Sequence, residues 1–552
     1  MNLRIGMILT MGLGTILLPG ASGTAQNFSA DSSAHGRIPE LPFTKYTLDN
    51  GLDVILHEDH TIPVVAVNIW YRASSANEKP GRTGFAHLFE HLMFNGSEHW
   101  NSDYFVPIQE AGGQVNGSTS QERTNYWENV PSSYLERALW MESDRMGWLL
   151  PAMTREKLDT QRDVVRNERR QSYENRPYGL VYETILASIY PPEHPYSWPT
   201  IGSMEDLQRA TMDDIADFFR RFYHPANASL CIAGDFDPAE ARRLVEKYFA
   251  VIPAGPHVEP LKPWTVPLAE PKRIRMTDRV GLPALIMVWP TVQAYSDEEA
   301  ALDLGANILG GDDTSRLYRK LVREKQLATS VTVGHNNGQL AGMMIVYIMA
   351  RPDADLTEIE KIVREEIERI STQIPSTEEI ERTLNRYETD VIGSLEPVGG
   401  FGGRADMFNR YNVQCGDPGY LANDVRRYLD VTPEQIRGTM AKYLGRADLV
   451  LTVHPCEPGA EPVIEPDPRI PAAIAREKMA TGEHATAVEN VRIPVDEDRR
   501  NLPGPSAQPA FDLPTFQRET LPGGMKVLLV ERHKLPLVEV SLYFPYGSAT
   551  VP

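Results

Sequence analysis

The 552-residue sequence predicts an α+β chain built from several domains. Three observations carry this expectation. The length alone corresponds to roughly three or four domains. Strand-like alternation and amphipathic helical runs follow one another along the chain. A strand, turn and strand pattern near the start also returns near the end. With 41% hydrophobic and 24% charged residues the composition is that of an ordinary globular protein, so a sizeable core is available.

At the N-terminus, Met1-Asn-Leu-Arg4 is a short positive start, Ile5 to Leu18 is apolar and Pro19 to Ala25 supplies small residues. That order is the pattern of a secretory signal peptide over residues 1–25. No cysteine follows the apolar run, and the run is too short and too broken by glycine to span a bilayer, so no stable membrane anchor is expected. Residues 26–39 are polar and read as a flexible lead-in. In a Gram-negative bacterium the mature chain would be secreted across the inner membrane and be periplasmic.

Phe43 to Val67 reads as a strand, an Asn50-Gly51 turn, a second strand, then Pro63 and a third strand. The helical segment that follows holds His87-Leu88-Phe89-Glu90-His91, inside Gly84 to Gly96. Residues four apart on a helix lie one above the other on one face, so the two imidazoles form a bidentate metal clamp. Glu90 lies beside His91 and can take a proton from a water in an open coordination position. This order is the zinc-hydrolase motif read backwards. With 13 histidines in the chain, composition alone gives about 0.02 such pentads. An amphipathic core helix is the competing reading, and Leu88, Leu92, Met93 and Phe94 supply its apolar neighbours. A core helix, however, has no need of two stacked imidazoles with a carboxylate beside them.

Paired glycines, Gly112 and Gly113, precede Gln114-Val-Asn116-Gly-Ser-Thr119. They suggest either a strand approached closely by another backbone or a glycine-containing hairpin turn. Thr154 to Gln171 reads as a long helix, with Thr154 as N-cap and an acidic first turn. A catalytic zinc takes three protein ligands, so a third donor must come from elsewhere. On this charged helix and just beyond it Glu156, Asp163, Glu168 and Glu174 all compete.

Ser229 to Gly234 reads as a buried strand in which Cys231 is a small hydrophobe, and Ala239 to Phe249 as an amphipathic helix. His224 precedes Pro225 in a loop and reads as structural. Pro260 to Pro271 is a proline-rich connection. Beyond it come strand-like Ala284 to Trp289 and a helix ending at Gly310-Gly311. That glycine pair lacks the lysine and spacing of a phosphate-binding loop and reads as scaffold. From Glu457 to Pro514 the composition shifts to Pro, Ala, Glu and Gly, as in a long linker with one helix near Pro471 to Thr481. Phe516 to Val540 repeats Phe43 to Val67, with Leu521, Gly524, Val527, Leu529, Glu531, His533, Pro536 and Val540 identical to their counterparts.

The formal charge of −20 with no basic stretch argues against nucleic acid as a partner and reads as a solvated acidic surface. Three scattered cysteines exclude a disulfide scaffold or a cysteine metal cluster, although a Cys415 to Cys456 bond stays open.

The pentad, Glu168 placed 77 positions after His91, and the Gly112 to Thr119 segment between them closely resemble the pitrilysin, or insulinase, family of zinc peptidases. The resemblance spans roughly residues 40–460. It implies His87, His91 and Glu168 as ligands of one Zn2+ per chain and Glu90 as general base. It implies that Gly113 and Asn116 lie on an edge strand to which a peptide substrate adds as a further strand. Relatives often carry another acid two turns before the third ligand, where this chain has Gln161; an amide accepts a hydrogen bond from imidazole but brings no charge.

The implied fold is two similar two-layer domains, each a mixed or antiparallel sheet packed by helices, of the mitochondrial processing peptidase type, plus the start of a third. The implied organisation is a zinc-binding peptidase domain over 40–255, a linker over 256–272, a second metal-free domain over 273–460, a linker over 461–512 and, over 513–552, the truncated start of a C-terminal repeat half. The implied activity is that of a zinc metalloendopeptidase acting on peptides or small unfolded proteins. The alternative is a zinc-binding chain, inactive alone or non-catalytic, that needs a partner chain or a second copy to complete a chamber.

Overall fold

The computed structural model describes residues 39–457, 459–469, 493, 497–507, 510 and 514–544. The expected signal peptide, nearly all of the lead-in and the helix expected near Pro471 to Thr481 lie outside the described residues. No helix among the described residues is long and apolar enough to cross a membrane.

Two six-stranded sheets organise the chain. The first is made of β1 (Thr44–Thr47), β2 (Asp53–Glu58), β3 (Val64–Tyr71), β4 (Gln114–Thr119), β5 (Thr124–Pro131) and β6 (Ala228–Gly234). The second is made of β7 (Lys272–Asp278), β8 (Ala284–Thr291), β9 (Ala328–Asn337), β10 (Gly342–Ala350), β11 (Leu449–Pro455) and β12 (Val463–Glu465). Their orders, β1-β2-β6-β3-β5-β4 and β12-β7-β11-β8-β10-β9, are the same arrangement met twice. In each, one parallel pair (β2 with β6, β7 with β11) is followed by antiparallel neighbours out to an edge strand, β4 or β9. The α+β class and the two similar domains are therefore what the chain folds into.

The central strands read as unbroken apolar runs, such as Ala228-Ser-Leu-Cys-Ile-Ala-Gly234, because both faces of each sheet are covered. One face of the first sheet packs on helices Phe85–Leu92, Leu135–Ala152, Met212–Phe222 and Pro238–Phe249. Its other face, through Ile55, Ala66, Cys231 and Ala233, receives Ala405, Met407, Phe408 and Tyr411 of helix Arg404–Cys415. That helix comes from the second half of the chain. The exchange is mutual: Val181, Ile185, Leu186 and Ile189 of helix Val181–Ile189 cover Ala284, Ile286 and Val288 of β8. Each half thus lends a helix to the other's sheet, which joins them into one unit.

Three expectations are revised. Cys415 and Cys456 are free thiols, so the bond left open does not form. Val463–Glu465, read as the start of a linker over 461–512, adds to β7 as an edge strand, because Ile464 finds a buried place in the second sheet. In the C-terminal repeat only a two-stranded hairpin forms, β13 (Gln517–Thr520) with β14 (Lys526–Leu529). The third strand expected after Pro536 is irregular, with Val538 91% and Val540 87% exposed. Its counterpart β3 sits between β6 and β5, and no such neighbours flank the hairpin among the described residues.

Candidate metal centre

The pentad helix Phe85–Leu92 is shaped by two opposed faces. Phe85, Ala86, Leu88, Phe89 and Leu92 are buried, and Phe89 packs on Tyr223 and Phe219 with ring centroids 4.4 and 5.8 Å away. His87, Glu90 and His91 are left on the other, half-buried face. Gly84 is the N-cap and carries no side chain to cap with. Glu78 performs that task instead, accepting the backbone N–H of Gly84 at 3.0 Å and of Ala86 at 2.7 Å. Burial, the largest influence on it, pushes the Glu78 carboxyl up to about 8 although those two N–H groups pull it down.

Helix Arg155–Arg169 starts as expected, with the Thr154 hydroxyl oxygen accepting the Lys157 N–H at 3.3 Å. Its last turn is pinned where Arg169, buried, donates to the Gly202 carbonyl at 2.7 Å and to Glu183 at 2.8 Å. Glu168 is thereby held against the pentad helix. Its Oε2 lies 3.5 Å from His91 Nε2 and 3.7 Å from His87 Nε2, and the three donor atoms all fall within 4.8 Å of one another. Asp163 pairs with Arg166, Glu174 pairs with Arg169 and Glu156 is exposed in the first turn, so the competing acids are placed elsewhere.

These residues fit a zinc ion. Bonds of about 2.0–2.2 Å in a tetrahedron place ligand atoms roughly 3.3–3.6 Å apart, close to the spacing found. Two imidazoles and one carboxylate are a donor set zinc takes, and Glu168, 42% exposed, leaves the group open to solvent on one side. Burial, followed by the neighbouring His91, pushes His87 down to about 4, so its ring is neutral, the form that ligates. Its Nδ1 is buried with no hydrogen-bond partner. The hydrogen bond from His91 holds the Glu168 carboxyl below its usual range. Gln161 contacts His91 through a side-chain hydrogen bond and donates to Asn95 Oδ1 at 3.1 Å, so the amide orients the ring without adding charge.

Glu90 stands outside this ligand group. Thr119 Oγ1 donates to Glu90 Oε2 at 2.5 Å, tying the carboxylate to the end of β4. Burial raises the Glu90 carboxyl, opposed by that bond and by the charges of His91 and Arg123. β4 pairs with β5 alone, so its outer edge is free of a strand partner among the described residues. Thr119 and Asn116 are an odd number of positions apart and point to opposite faces of this strand. Asn116 is therefore exposed on the face away from Glu90, opposite Trp127, with its Oδ1 accepting the Gly117 N–H at 2.8 Å. Gly112 takes the left-handed φ of 78° that turns the chain into β4. A Cβ on Gly113 would meet Val130 Cγ1 at 2.7 Å and the Asn129 carbonyl at 2.9 Å, so packing inside the sheet demands this glycine. Glu78 carries no motif of its own and escapes a reading of the sequence, while Thr119 lies inside the Gly112 to Thr119 segment but its bond to Glu90 is set by the fold.

Two family models match the chain. One, insulinase (peptidase family M16), covers residues 53–197, and the other, the peptidase M16 inactive domain, covers 209–387. Helix Glu299–Gly310, which stands in the second half where the pentad helix stands in the first, contains no histidine. The zinc protease PqqE of Helicobacter pylori is 27% identical over 431 residues, 76% of this chain and 92% of that protein. A crystal structure of a protease from Helicobacter pylori superposes with a TM-score of 0.69 at 24% identity, over 76% of this chain and all of that one. The periplasmic protease PqqL of Escherichia coli is similar with a TM-score of 0.61 at 18% identity, over 90% of this chain and 56% of that one.

Proposed function

Since the chain belongs to the insulinase family, peptidase family M16, we propose that it is a zinc-dependent metalloendopeptidase acting on peptides or small unfolded proteins. One observation carries the reading: His87, His91 and Glu168 converge on one point while Glu90 is held beside it by a residue of an open sheet edge. A zinc ion bound by the three ligands supplies Lewis acidity, which acidifies water and polarises a peptide carbonyl. Glu90 accepts the proton of the attacking water and passes it to the leaving amine. Thr119 keeps the Glu90 carboxylate turned towards that water. The substrate lies along β4, whose outer edge has no strand partner among the described residues and can take an extended peptide as a further strand. Asn116 belongs to this binding strand and Gly113 leads directly into it, with Asn116 on the face away from Glu90.

A second reading is favoured by one observation: the chain spans 56% of the longer PqqL protein. In it, this chain binds zinc and becomes active with a partner chain or a second copy that completes a chamber. The expected signal peptide and the periplasmic neighbour support a periplasmic location.

The test uses the full chain. Elemental analysis should give one zinc per chain, and a mixed peptide library should be hydrolysed. Glu90→Gln is expected to keep zinc and lose turnover, while His87→Ala and His91→Ala lose zinc. Full turnover in Glu90→Gln would remove the proposed base. Assay with and without a candidate partner separates the two readings.

A further inference from the structure

The turn that joins β4 to β5 is Ser120 to Arg123, with Glu122 three residues past Thr119, and its tip is tied down on two sides. On the first side, Ser75 and Ala76 donate backbone N–H groups to the Ser120 and Gln121 carbonyls at 3.3 and 3.1 Å. Arg123 stiffens the turn by donating to the Ser118 carbonyl and hydroxyl at 2.7 and 2.6 Å while lying over the Trp70 ring. On the second side, Glu122 reaches into the other half of the chain. Its Oε1 accepts the Gln339 N–H, from the turn between β9 and β10 of the second half, and also the hydroxyl of Tyr196 from the first half. Its Oε2 accepts Gln414 Nε2 at 3.3 Å, from the helix that covers the first sheet. Tyr196 in turn accepts the Leu340 N–H at 3.2 Å. Gly338 has no Cβ where one would strike the Glu122 carboxylate and the Tyr196 hydroxyl.

We propose that Glu122 is a positioning residue for catalysis, a latch by which the second half fixes the end of β4 and, through Thr119, the orientation of Glu90. This rests on the peptidase reading above. The chain of contacts is short: Gln339 and Gln414 to Glu122, three residues along the hairpin to Thr119, and one hydrogen bond to Glu90. Hydrogen-bonded support of this kind sets a catalytic carboxylate to within the few tenths of an ångström that turnover requires. The second half, in which no metal-ligating group occurs among the described residues, then contributes to the rate as well as to folding.

The experiment compares zinc-loaded full-length variants. Glu122→Ala is expected to lower kcat about 10- to 100-fold, with KM within about twofold and zinc content unchanged. Glu122→Gln restores part of the rate, because the amide oxygen accepts the same Gln339 and Tyr196 bonds while the Gln414 bond is lost. Thr119→Val lowers kcat, and adding Glu122→Ala to it costs little more, because both act on one carboxylate. Wild-type kcat in Glu122→Ala, or full additivity with Thr119→Val, overturns the latch. Should Glu122→Ala fail to fold, Gln414→Leu is read in the same way: a kcat reduced several-fold at constant KM supports the latch and an unchanged kcat overturns it. Glu90→Gln separates this inference from the reading beneath it. Turnover that survives in Glu90→Gln removes the hydrolytic reading, whereas turnover lost there and intact in Glu122→Ala removes the latch alone.

Discussion

Glu78 closes the N-terminus of the pentad helix by accepting the Ala86 N–H at 2.7 Å, eight residues along the chain. The first-turn donors of a helix need partners, and Gly84 offers none. Glu78→Ala strands two buried N–H groups beside His87, the first of the proposed metal ligands. The expected loss is about 2 kcal/mol of folding stability, read as a shifted urea midpoint. Zinc should also leave the variant at a lower chelator concentration than it leaves the wild type, because His87 follows Ala86 directly.

Removing zinc is expected to lower the thermal unfolding temperature reversibly. A ligand that binds only the folded state contributes about 2.7 kcal/mol at a concentration one hundred times its dissociation constant. Calorimetry with and without a chelator should show this difference in the wild type and in Glu90→Gln. It should vanish in His91→Ala, whose ring supplies one of the three donors. A wild-type transition indifferent to chelator would count against the metal centre.

Gln161 gives a finer probe. It touches His91 by hydrogen bond and is fixed by Asn95. Gln161→Ala frees the ring to rotate and removes its acceptor. The expected result is a zinc affinity lowered about tenfold, measured by competition with a chromophoric chelator, with the urea midpoint of the zinc-free protein unchanged.

The parts of this centre that were legible in the sequence are those set by local geometry. His87, Glu90 and His91 share a helix face because of their spacing alone, and Thr154 marks the start of the helix that carries Glu168. The choice of Glu168 over Asp163 or Glu174 needed the family spacing, since three acids on or near one helix look alike until their arginine partners are known. Thr119 belongs to a segment that reads as either a strand or a hairpin turn, and its bond to Glu90 depends on which strand lies beside the pentad helix, a matter of sheet order. The exchange of helices between halves was equally hidden. Arg404–Cys415 has apolar residues to bury, but its sequence does not say against which sheet. The third strand expected in the C-terminal repeat does not form for the complementary reason, since its pattern is present and no neighbouring strands flank it among the described residues.

Acid should loosen the second half through Glu379. Burial alone would raise this carboxyl, but Arg316, bonded to both its oxygens at 2.7 and 2.8 Å, and the Ser376 N–H hold it down to about 2. A carboxyl whose pKa is lower folded than unfolded stabilises above its unfolded value of 4.5, and that contribution is lost as pH falls from there towards about 2. Arg316→Met removes the cause. Urea midpoints at pH 7, 4.5 and 3 should fall more steeply with acid in the wild type than in Arg316→Met, and equal slopes would refute the assignment.

Behind the edge strand lies a fully buried ion-pair group. Arg145 is fully buried, donating from Nε to Glu142 at 2.9 Å and from Nη2 to Glu128 at 3.2 Å, and it lies over the rings of Tyr126 and Tyr104 at 4.1 and 4.2 Å. Burial raises the Glu128 carboxyl well above its usual range even with the guanidinium present. Arg145→Met leaves two carboxylates in an apolar interior with no cation, and about 3–5 kcal/mol of stability is expected to go. Adding Glu128→Gln and Glu142→Gln should recover much of it, because the stranded charge rather than the lost pair carries the penalty. Tyr126 also packs on Phe94, just beyond the pentad helix, with centroids 5.5 Å apart. The single variant should therefore bind zinc more weakly than its stability alone accounts for, and a zinc titration at a temperature where it is fully folded would decide the point.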